Sequence, residues 1–140
     1  MAIFKNILVA LLLTTAIGCG GGSSSETTGG GSGQTVSATL ASIQSQIFTP
    51  TCATAGCHSS GSASGGLILE AGSSFSNLVN VNSTGSSFKR VASGSPDKSY
   101  LINKLEGTGS GTQMPQGTSP LTAAEIQTIK DWITGGALNN

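Results

Sequence analysis

Thr51–Ser59, TCATAGCHS, is the stretch on which the reading of this chain turns. It holds Cys52, Cys57 and His58, and His58 is the only histidine in 140 residues. Two thiols followed at once by an imidazole is the arrangement that attaches haem covalently. The cysteines form thioethers with the porphyrin, and the histidine takes one axial position on the iron. The common spacing is C-x-x-C-H; here it is C-x-x-x-x-C-H, longer by two residues. Small residues fill the gap, and Gly56 can take a positive φ, so the extra loop can bulge outward. Met114, in QMPQG, is the only methionine besides Met1. Its thioether is the soft ligand that completes a His/Met axial pair.

Working outward from the motif, Val36, Leu40, Ile43 and Ile47 recur at helical spacing, with Ser37 as candidate N-cap. This predicts a helix to about Phe48 that stops before Pro50 and delivers Cys52 to its place. Downstream, Leu67-Ile68-Leu69 reads as an extended or wall segment, and Phe75, Leu78 and Val79 as a short helix. Ser95-Pro96-Asp97 predicts a helix start, with Tyr100, Leu101, Ile102 and Leu105 following and Gly107 ending it. Thr108–Gly117 is then a loop carrying Met114-Pro115. In the last helix, Thr122 and Glu125 form a capping box, with Leu121 and Ile126 at the staple positions. Ile126, Ile129, Trp132 and Ile133 line one face, and Gly135-Gly136 ends it. The expected fold class is all-α.

The remainder frames this domain. Residues 1–18 read as an export signal: one charge, Lys5, then an apolar run from Ile7 to Ile17 that is too short to span a membrane. The run ends in small residues before Cys19, as in a bacterial lipoprotein signal, which makes Cys19 the candidate lipidation site. Residues 19–34 are the lipidated cysteine and a Gly/Ser-rich linker. The fourteen residues Gly20–Gly33 have a random-coil reach of about 20 Å. Residues 35–140 are the domain proper. Export places Cys52 and Cys57 outside the cytoplasm, the oxidising side on which haem c is attached. Six basic residues balance six acidic ones, and no basic patch is present, which argues against a nucleic-acid partner. Only six residues are aromatic, so a protein-only core is thin, and a buried porphyrin would add apolar contact area.

The segments IFTPTCATAGCH, GLILE, SGSPDKSYLINKLEG, MPQG and PLTAAEIQTIKDWITGGA, between Ile47 and Ala137, together resemble the planctomycete-type cytochrome c domain of the class I cytochrome c family. The resemblance implies a small class I cytochrome c-like domain whose N- and C-terminal helices pack around one haem, with long loops. It implies one haem c on Cys52 and Cys57, with His58 and Met114 as axial ligands. The function expected is a membrane-tethered monohaem c-type cytochrome. It would carry single electrons outside the cytoplasm between redox partner proteins, an electron carrier rather than an enzyme.

Two other readings stand beside it. Exported cysteines at this spacing can close a Cys52–Cys57 disulfide, giving a haem-free surface lipoprotein that acts as a binding module. A structural zinc module would need four protein ligands, and only Cys52, Cys57 and His58 cluster in sequence. Trp132 and Tyr100 are core candidates that could also donate to a bound porphyrin's carboxylates.

Overall fold

The computed structural model describes residues 35–140. The expected export signal, Cys19 and the whole linker, residues 1–34, lie outside the described residues. The domain is helical, and among the described residues it forms no strand, only isolated bridges such as Val79 to Val91.

Helix α1 (Leu40–Ile43) is capped by Thr39, whose Oγ1 accepts from Ser42 N at 3.3 Å. The sequence suggested Ser37 instead. The choice is tertiary: Leu40 N donates to Asn140 Oδ1 and Ala41 N to Asn140 O, so the C-terminal residue satisfies the next two free amides of the helix. Nor does the helix stop before Pro50. It widens into a π-helix over Gln44–Cys52 with Pro50 inside it. Proline has no N–H and its ring crowds the carbonyl four residues back. π winding, with bonds reaching five residues back as Ala53 N does to Phe48 O at 2.7 Å, is a form in which that carbonyl is not required. The helix therefore carries Cys52 as its own last residue.

Helix α2 (Ser74–Leu78) is the short helix expected there. The next expected helix is broken in two. A 3₁₀ turn over Pro96–Lys98 is followed by extended Ser99 and only then by α3 (Tyr100–Glu106). Ser95 makes no side-chain cap. The break lies at Ser99, which is fully buried: its Oγ donates to Ser95 O and accepts from Ala92 N. A buried hydroxyl held at both ends fixes the backbone where helical winding would pull it away. Gly107, at φ 71°, ends α3 as expected.

Helix α4 (Ala123–Thr134) has the full capping box, Thr122 Oγ1 accepting from Glu125 N and Glu125 Oε2 from Thr122 N. It packs on α1 and α3. Ile43, Ile47 and Phe48 from the first helix meet Ile129, Trp132 and Ile133 from α4, all at most 2 % exposed. Leu121 and Ile126 pack partly buried against this core. Trp132 Nε1 donates to Leu138 O at 2.8 Å, so this tryptophan is a core residue with its polar atom already used.

Candidate functional site

Beyond Cys52 the chain turns through the two extra residues of the motif. Gly56 adopts φ 82°, and Cβ added there would meet nothing within 4 Å, so the loop bulges into open space. Cys57 N donates to Thr54 O and His58 N to Cys52 O at 3.1 Å, which folds the motif back on the helix end. Leu69 N donates to His58 O at 2.8 Å, and His58 Nδ1 lies 3.3 Å from Leu67 O. A carbonyl can only accept, so in the neutral ring this contact suits the tautomer with the proton on Nδ1 and the lone pair on Nε2. That is the orientation a metal-binding imidazole needs, with its second nitrogen held by a carbonyl. The apolar run Leu67–Leu69 is thus both wall and orienting group.

Met114 is placed from the other end of the domain. The loop after α3 folds back on that helix, where Met114 N donates to Lys104 O at 2.8 Å and Gln113 Nε2 to Leu105 O at 2.7 Å. Both the motif and this loop border one cavity of about 410 Å³, lined by Cys52, Cys57, His58 and Met114. Its apolar wall consists of Leu67, Leu69, Leu78, Leu101 and Leu105. Arg90 and Lys104 also line it, and no carboxylate does. A volume of this size falls within the range of about 300–1,000 Å³ typical of small-molecule and cofactor sites. Tyr100 lines the cavity too, its hydroxyl on Ser110.

Cys52 and Cys57 are free thiols in this structure. Burial, and then the neighbouring Cys57, push the Cys52 thiol up to about 11. Such a thiol is protonated at neutral pH and a poor partner for thiolate exchange. Among the described residues no group of three or more His, Cys, Asp or Glu is placed to hold a metal ion; a structural zinc site uses four protein ligands.

The donor set suits haem c: two free thiols, an imidazole with Nε2 presented, a thioether bordering the same cavity, leucine walls and a cationic lining for an anionic ligand. The structure brings the sequence-named Cys52, Cys57, His58 and Met114 to one cavity. Sequence reasoning did not single out Leu67 as the partner of His58, nor Arg90, Lys104 and Gln113. Leu67 acts through its backbone, which no side-chain pattern reveals. The others are single polar residues whose partners lie elsewhere in the fold.

No family model, curated protein or solved structure matches the chain.

Proposed function

We propose that residues 35–140 form a monohaem c-type cytochrome domain of the class I kind. It would be carried on a lipid-anchored exported chain and would move single electrons between redox partner proteins outside the cytoplasm. The observation that carries this reading is one cavity bordered by Cys52, Cys57, His58 and Met114 together. The sequence resemblance to the planctomycete-type cytochrome c domain, carried in part by the same residues, points the same way.

When bound, haem supplies an iron that accepts and gives up one electron. The chain's residues do the rest. Cys52 and Cys57 would hold the group by thioethers. Leu67 O holds the ring of His58, so that Nε2 of His58 and the thioether of Met114 would be the protein ligands of the iron. Two protein ligands would leave no position for a substrate, as in a carrier rather than a catalyst. The leucine walls exclude water, and Arg90 and Lys104 favour an anionic ligand. His/Met ligation favours the reduced state relative to stronger donors.

The test is ligand access. The haem-loaded wild type should bind carbon monoxide slowly, and Met114→Ala quickly; Met114→His should stay six-coordinate at a lower reduction potential. A wild type that takes up carbon monoxide as fast as the alanine variant would replace the carrier reading with a ligand-binding one.

A further inference from the structure

The C-terminus of α3 and the methionine loop are bonded to each other in both directions. A helix leaves its last four carbonyls without intrahelical partners. Here the chain after α3 satisfies three of them: Asn103 O accepts from Thr108 N and Gly109 N, Leu105 O from Gln113 Nε2, and Lys104 O from Met114 N. In return, Lys104 sends its side chain back into the loop, and Nζ donates to Ser110 O at 3.0 Å and to Thr112 O. One residue therefore accepts from Met114 through its backbone and grips the two carbonyls that flank Gly111 through its ammonium.

Around this grip, Tyr100 Oη bonds Ser110, and Ser110 Oγ donates to Gly85 O. Gly85 is required there, since a Cβ would sit 2.8 Å from Tyr100 Oη. The glycine at 107 is required as well: at φ 71° its Cβ would come within 3.1 Å of Gln113 Oε1. The loop is thus closely applied to α3, and charge-assisted bonds from Lys104 are the strongest in the set. The ammonium also sits at the negative end of the helix, where a cation is favoured.

We propose that Lys104 is the positioning residue for Met114: by clamping residues 110–112 it holds the methionine thioether at the cavity and sets how readily another ligand displaces it. This rests on the haem reading for its ligand-exchange consequence but not for the clamp itself. Lys104 acts through the loop and does not itself ligate.

The experiment therefore has two arms, both on the full chain. In the haem-free chain, hydrogen exchange at the Met114 amide is compared between wild type and Lys104→Met, which keeps the stem and removes the donors. Exchange about tenfold faster or more is expected, because hydrogen bonds to a charged group are stronger than neutral ones. In the haem-loaded ferric protein, imidazole is titrated against the methionine ligand. Lys104→Met should bind imidazole about tenfold more tightly, and Lys104→Arg should restore the wild-type value. Lys130→Met, which removes the same charge from the Glu106 ion pair, should leave both readouts unchanged.

Wild-type exchange and imidazole affinity in Lys104→Met would overturn the proposal, as would an equal effect from Lys130→Met. Should Lys104→Met fail to fold, Lys104→Gln, with one short donor and no charge, is read in the same assays. A smaller loss in the same direction supports the clamp and no change overturns it. A wild-type chain that takes up no haem defeats the electron-carrier reading, and the exchange arm still decides the clamp.

Discussion

Gln44 carries a prediction that the sequence pattern alone would not have raised. It is 9 % exposed on the π-helical segment. Its Nε2 donates to Leu69 O at 2.9 Å and to Thr49 Oγ1 at 3.0 Å, and its Oε1 accepts from Ser74 Oγ at 2.6 Å. One side chain thus joins the helix that ends in Cys52 to the cavity wall and to α2. Gln44→Leu keeps most of the volume and removes all three bonds. Thr49 is exposed and turns to water, but Leu69 and Ser74 are each 2 % exposed. Stranding a buried polar group costs about 1–3 kcal/mol, so the two together cost about 2–6 kcal/mol. A domain is stable by only about 5–15 kcal/mol in all, so the loss is a large share. Urea unfolding of the full chain measures it. Adding Ser74→Ala removes the stranded hydroxyl, so the double variant should be more stable than the sum of the singles by about 1 kcal/mol. A Gln44→Leu cost below about 1 kcal/mol, or additivity within about 0.5 kcal/mol, would refute the reasoning.

Two further outcomes are expected. Because burial, and then Cys57, raise the Cys52 thiol from 9.0 to about 11, its proton is held more tightly in the folded chain than in the unfolded one. That contribution to stability is complete below pH 9 and is lost as pH rises through about 11. In a haem-free Cys19→Ser/Cys57→Ser chain, Cys52 alkylation should keep a midpoint above 9.0 from desolvation alone, and restoring Cys57 should raise it further; a midpoint at or below 9.0 contradicts this. Separately, Cys19→Ser should release the chain from the membrane fraction, since the linker offers no second apolar anchor; a variant that still sediments with membranes in detergent-free buffer would remove the lipid-anchor reading.

What could be read in the sequence follows how local its physics is. The α4 capping box and the Gly107 stop are set by residues within one turn, and both stand as expected. The π-helix through Pro50, the cap at Thr39 and the break at Ser99 were not legible. Each is decided by a partner or a packing environment distant from its own pattern, Asn140 above the first amides of α1 being the clearest case. The same division runs through the site. Cys52, Cys57, His58 and Met114 announce themselves by residue type and scarcity. Leu67, which orients His58 by its carbonyl, and Lys104, which clamps residues 110–112, have no signature short of the fold.

The most direct measurement of the central claim is intact-mass analysis with haem staining after denaturing electrophoresis, on full chain produced together with haem-maturation machinery. One covalent haem per chain is expected, lost in Cys57→Ala and reduced in yield in Cys52→Ala, because Cys57 adjoins the ligand His58 and holds it in register. A chain that emerges without haem, or with Cys52 and Cys57 joined as a disulfide, would contradict it.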